Sequence, residues 1–88
     1  MDNEIRILLI AEERAKRFYT AGLKDYVDFY INESCPYCGR LTLIVPQSTL
    51  SLPKWTQKKI DALMTAVSYP TVARCTMCNK ILIAGFRA

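Results

Sequence analysis

The chain contains no histidine. That absence removes the commonest general base, every Ser-His-Asp type of constellation and every mixed cysteine–histidine zinc shell. Its three glycines are not spaced as a phosphate-cradling loop. No two carboxylates pair at a site fit for acid–base work, and no open metal position is in view, so no candidate catalyst emerges and the chain is expected not to be an enzyme. No apolar run approaches the ~20 residues that span a bilayer. The start, Met1-Asp2-Asn3-Glu4, is acidic and polar, unlike the basic opening of a signal peptide. There is no low-complexity stretch and no linker. Residues 1–88 therefore read as a single domain, without a membrane partner and intracellular, either cytoplasmic or in the nucleoid or nucleus.

What the chain does have is four cysteines, all placed in two C-x-x-C pairs: Cys35-Pro36-Tyr37-Cys38 and Cys75-Thr76-Met77-Cys78. Each pair is followed by a turn former, a basic residue and an apolar run, Gly39-Arg40-Leu41 in one case and Asn79-Lys80-Ile81 in the other. In a C-x-x-C turn two thiolates reach one ion while backbone N–H groups point at sulfur. Two such turns supply the four donors of a tetrahedral zinc shell. A shell filled by protein is structural rather than catalytic. One structural Zn²⁺ on Cys35, Cys38, Cys75 and Cys78 is the expected cofactor. The metal would close the long segment between the pairs, residues 39 to 74, and supplement a core that is marginal at this size.

The apolar content of 51% excludes a disordered tail. Charge is divided unevenly along the chain. Residues 1–33 are acidic on balance, whereas residues 34–88 carry Arg40, Lys54, Lys58, Lys59, Arg74, Lys80 and Arg87 against Asp61 alone. Cations gathered on the metal-binding part attract polyanions, and Arg40, Lys54, Lys58, Lys59, Arg74 and Lys80 form a candidate nucleic-acid-binding set. Arg40, Arg74 and Lys80 also adjoin ligands and would offset a doubly negative four-thiolate centre. The alternative for the set is an ordinary solubilising surface.

An N-terminal helix is expected over residues 1–22, capped by Asp2 or Asn3, running to about Thr20 and stopped by Gly22, with Glu12–Lys16 and Glu13–Arg17 as i,i+4 pairs. Its first turns, Ile5 to Ala11, are apolar nearly all round and need burial on more than one side. Either the chain's own sheet wraps them, or Ile5, Leu8 and Leu9 form a partner interface, in a homodimer or on a larger protein. From residue 24, Val27, Phe29 and Ile31 alternate with Tyr26, Asp28 and Tyr30, which favours a strand over a second helix. Leu41–Val45 is a strand ended by Pro46. A helix is expected over about 53–68, behind Ser51 and Pro53, with Ile60, Leu63, Met64 and Val67 as its buried stripe. Short strands over 71–74 and 80–84 flank the second pair, and residues 85–88 form a stub. Trp55 fits the end of the core; stacking on a base among Lys54, Lys58 and Lys59 is the alternative.

The two pairs with their following strands, residues 35 to 39 and 75 to 80, resemble the zinc ribbons of transcription and translation proteins. The resemblance implies an α+β domain: a small antiparallel zinc-ribbon-like sheet with two zinc knuckles, preceded by the N-terminal helix and interrupted by the inserted one. The inserted helix departs from ribbons joined by strands alone. The acidic tip of elongation-factor ribbons has no counterpart, since Asp61 is the only acid in the spacer. Around Tyr26 to Cys38 the chain also resembles a glutaredoxin, a strand leading to a Cys-Pro-Tyr-Cys redox motif. On that reading Cys35 would be the nucleophile and Cys38 the resolving thiol. A redox motif of that kind opens a helix, whereas Leu41 to Val45 is β-forming, and Cys75 and Cys78 would be left without a role. The expected function is thus a structural-zinc binding module that regulates transcription or otherwise binds nucleic acid. A protein-docking adaptor or inhibitor recognising a complementary acidic surface is the close alternative.

Overall fold

The computed structural model describes residues 5–24 and 29–87. In chain order these form β1 (Arg6–Leu9), α1 (Glu12–Leu23), β2 (Ile31–Ser34), β3 (Leu41–Pro46), a 3₁₀ turn (Thr49–Ser51), α2 (Lys54–Met64), β4 (Ser68–Cys75) and β5 (Ile81–Phe86). The five strands make one curled sheet in the order β1-β5-β4-β3-β2. Neighbours are antiparallel except β1, which runs parallel to β5 in the register Arg6↔Leu82 to Leu9↔Gly85. The architecture is α+β, and the sheet is mixed rather than the purely antiparallel one expected.

Residues expected to open the N-terminal helix instead form β1. An all-round apolar run suits a strand covered on both faces as well as a buried helix, and the β-branched Ile5, Ile7 and Ile10 tip the choice toward extended backbone. Leu8 packs into the cluster under α1 with Phe18, Ile44, Leu82 and Ala84. Ile5 and Ile7 pack on the opposite face with Ile60, Val72 and Ile83. Both faces of β1 are thus occupied by the chain's own elements. Of the three residues expected at a partner interface, Leu8 is buried, Ile5 is half-buried and Leu9 is 51% exposed.

α1 begins after Ala11, which supplies no side-chain cap, and continues through Gly22 to Leu23. Lys16 and Glu12 form the expected i,i+4 pair at 3.5 Å. The helix presses Ala15, Phe18 and Ala21 onto the sheet, and Phe18 meets Phe29 with ring centroids 6.0 Å apart. β2 opens at Ile31, the last residue of the strand expected from residue 24, and continues to Ser34; Phe29 and Tyr30 precede it, and Tyr26, Val27 and Asp28 lie outside the described residues, as do the expected caps Asp2 and Asn3.

The helix expected over 53–68 spans Lys54–Met64, and Pro53 stands just before its first turn. Ile60 is its buried residue; Leu63 and Met64 pack beside it, while Val67 joins the same cluster from beyond the helix end. Trp55 is 55% exposed rather than placed in the core, with Lys59 Nζ 5.3 Å from its ring centroid. The last two strands are longer than expected, and β5 absorbs Gly85 and Phe86 from the supposed stub. Gly85 is required there by space: a Cβ would stand 2.5 Å from Val67 Cγ2.

Candidate metal centre

Each C-x-x-C pair closes a β-hairpin, the first between β2 and β3 and the second between β4 and β5. Because β3 and β4 are antiparallel neighbours, both hairpin tips lie at the same end of the sheet. The two turns repeat each other bond for bond. Gly39 N–H donates to the Cys35 carbonyl and Asn79 N–H to the Cys75 carbonyl, both at 2.8 Å. Cys35 N–H donates to Arg40 and Cys75 N–H to Lys80, at 3.0 and 3.1 Å. Gly39 (φ 72°) and Asn79 (φ 61°) hold the left-handed conformation that such a turn demands, a conformation glycine adopts freely and asparagine tolerates. The turn formers recognised after each cysteine pair therefore do the same job in both copies.

The four sulfurs converge within 4.8 Å of one another, and Cys35 Sγ lies 3.7 Å from Cys78 Sγ. Zinc–sulfur bonds of about 2.3 Å at tetrahedral angles would place sulfurs about 3.8 Å apart. All four cysteines are free thiols. Cys35 and Cys75 are buried in the core beneath α1, Cys78 is half-buried and Cys38 is exposed. The spacing, the soft donors and the turn geometry fit a divalent metal such as zinc.

Main-chain N–H groups are directed at the inner sulfur of each turn. Those of Tyr37 and Cys38 reach Cys35 Sγ at 3.4 and 3.5 Å, and those of Cys78 and Met77 face Cys75. At Cys35 burial prevails and pushes the thiol up to about 11. At Cys75 burial acts in the same direction, but the N–H groups of Cys78 and Met77, with the neighbouring thiols, overcome it and bring the group down to about 6.

Of the cations expected beside the centre, Arg74 is half-buried and donates to Asn79 Oδ1 at 2.9 Å, steadying the second turn. Lys80 lies over the Tyr37 ring at 5.2 Å, and Arg40 is exposed. Lys54, Lys58 and Lys59 are exposed on α2, a separate element from the cysteine turns.

Two residues not anticipated join the centre. Arg6, on β1, stacks over Tyr37 at 5.3 Å and donates to the Pro36 carbonyl at 2.7 Å. Tyr37 itself spans β1 and β5: its hydroxyl accepts from Arg6 N–H at 2.8 Å and donates to the Ile81 carbonyl. The aromatic inside the first motif was visible in the sequence, but its bond to a strand some thirty residues earlier was not. No helix among the described residues is long and apolar enough to cross a membrane. No protein-family model, curated protein or solved structure matches the chain.

Proposed function

We propose that the chain is a small structural-zinc binding module that acts by recognition rather than catalysis. The observation that carries this reading is the convergence of four sulfurs from two matched hairpin turns. Cys35, Cys38, Cys75 and Cys78 would hold the ion and fill its shell, leaving no position for substrate. The ion would tie β2–β3 to β4–β5, which supports a fold with a modest core. A dithiol redox role fits less well, because the Cys35–Cys38 turn closes a hairpin instead of opening a helix. Native mass spectrometry should find one zinc per chain, and chelation should lower thermal stability sharply. A fully folded metal-free protein with four free thiols would sink the proposal.

For the ligand, charge supports nucleic acid: Arg40, Lys54, Lys58, Lys59 and Lys80 are exposed, and Arg6 adds another exposed cation near the turns. A role in gene regulation follows from that reading. Three members of the expected set already have internal partners, Arg74 on Asn79, Lys80 on Tyr37 and Lys59 on Trp55. A second reading, a protein-docking adaptor, is favoured by a specific observation: one face of β3 is apolar and exposed.

A further inference from the structure

The two cysteine hairpins repeat each other closely, but at the fourth residue after each pair they part. The first copy has Thr42 there and the second Leu82. Both side chains are buried. A buried hydroxyl where the sister copy has leucine carries a desolvation cost that a hydrogen bond must offset. The residue after the first cysteine differs as well, Pro36 in one turn and Thr76 in the other.

The two threonines meet beside a ligand. Thr42 Oγ1 lies 3.4 Å from Thr76 Oγ1 and 4.0 Å from Cys75 Sγ. Thr76 donates its hydroxyl hydrogen to the Leu43 carbonyl at 2.9 Å. A hydroxyl has one hydrogen, so the Thr76 oxygen is left to accept from Thr42. With Cys75 as a thiol the bonds therefore run one way: Cys75 S–H to Thr42, Thr42 to Thr76, Thr76 to Leu43. Cys35 Sγ, by contrast, is met by main-chain N–H groups and by other thiols. A metal ligand gives up its proton, and the series then loses its first donor. Thr42 can no longer accept from the sulfur, but it can donate to it. Hydrogen bonds to a charged acceptor are roughly twice as strong as neutral ones, so the thiolate prevails over the Thr76 oxygen.

We infer that Thr42 is a positioning residue of the metal centre, its hydroxyl turning on metal loading from Thr76 Oγ1 to donate to the Cys75 thiolate. The inference rests on the metal reading of the four cysteines. The bond takes up part of the charge of one buried ligand and fixes the direction of its sulfur. Leu82, at the matching place in the other copy, has no group to do this. Loss of a partner of this kind weakens metal binding by about 10–100-fold.

The test uses the full chain loaded with zinc, cobalt(II) or ¹¹³Cd. Thr42→Val keeps the shape and removes the hydroxyl, whereas Thr42→Ser keeps the hydroxyl. Zinc affinity, read by competition with a chromophoric chelator, should fall about tenfold or more in Thr42→Val. Thr42→Ser should recover most of it. In the cobalt form the sulfur-to-metal charge-transfer band should move to lower energy in Thr42→Val, because a sulfur without the hydrogen bond releases its electrons more readily. The ligand-field bands, which report the tetrahedral shell, should stay. Thr76→Ala, at an exposed position, removes the rival acceptor and should leave the charge-transfer band in place. One measurement needs no variant: in the ¹¹³Cd form the Thr42 hydroxyl proton should couple to the metal through the Cys75 sulfur. Absence of that coupling, with the Met77 and Cys78 amides coupled, overturns the inference. Unchanged affinity and band position in Thr42→Val also overturn it and leave the metal reading standing. A loss of affinity with an unmoved band, or an equal loss in Thr42→Ser, would be a packing effect and overturns it too. A band shift in Thr76→Ala as large as in Thr42→Val does the same. If the wild-type chain takes up none of the three metals, the metal reading falls and the inference falls with it.

Discussion

Tyr37 donates its hydroxyl hydrogen to the carbonyl of Ile81 over 2.6 Å. The same oxygen receives the Arg6 N–H, so one side chain from a cysteine turn is inserted between the two strands that pair in parallel. Arg6 and Lys80 both lie over its ring, and burial raises the phenol above its ordinary range, which keeps the donor protonated.

Tyr37→Phe keeps the ring and its two cations but removes the bridge. The expected cost is about 1–2 kcal/mol, since Arg6 N–H and Ile81 C=O each lose a partner. Chemical denaturation would measure it, and hydrogen exchange should speed up first at β1. Zinc stoichiometry should not change. A loss of zinc in this variant would mean that the tyrosine helps to hold the ligands and not merely the strand.

Gly85→Ala places a methyl 2.5 Å from Val67 Cγ2 and 3.0 Å from the Ser68 carbonyl oxygen. Overpacking of this kind costs about 1–3 kcal/mol. Trimming the neighbour in the double variant Gly85→Ala/Val67→Ala should recover part of the loss. Unchanged stability in the single variant would show that the β4 entry yields easily.

Metal loading should fail in acid. Zinc binds thiolates, so protons compete for all four sulfurs and occupancy falls as pH falls, while loading at neutral pH releases protons into the buffer. Calorimetry in two buffers of different ionisation enthalpy would detect that release. Cys75→Ser and Cys35→Ser should each abolish tight binding, since both remove a buried ligand. Metal content insensitive to either change would locate the metal elsewhere.

Lys58→Glu/Lys59→Glu separates the two ligand readings. If phosphate contacts dominate, the double variant should weaken binding to every duplex alike, and wild-type affinity should fall with salt at a log–log slope of about −0.9 per contact. Fluorescence anisotropy at several salt concentrations gives both.

The cysteine centre was legible because its chemistry resides in residue type and spacing: only a turn places Cys35 beside Cys38, and the repeated turn former and cation after each pair marked two copies of one device. The strands after each pair followed from their β-branched runs. Ile5 to Ile10 is ambiguous in sequence because a continuous apolar run has no period, and periodicity alone cannot separate a strand covered on both faces from a buried helix. The part of β2 not expected, residues 32–34, has the opposite cause. Ile31-Asn32-Glu33-Ser34 has weak strand propensity and is held extended by the ladder to β3, a tertiary override that local sequence does not display. Tryptophan's usual burial favours the core for Trp55, yet it stands exposed on α2 with the Lys59 ammonium over its ring.

The pairing of β1 with β5 has a consequence for the chain as it leaves the ribosome. Residues 6–9 hydrogen-bond to residues 82–85, so the first strand made has no edge to join until the last one exists. Cys35 and Cys38 emerge well before Cys75 and Cys78, and the early hairpin must wait with half a metal shell. Contacts this distant in sequence fold slowly and leave apolar segments uncovered meanwhile. A nascent chain stopped short of β5 therefore has its first cysteine hairpin but neither the second one, between β4 and β5, nor a seat for β1.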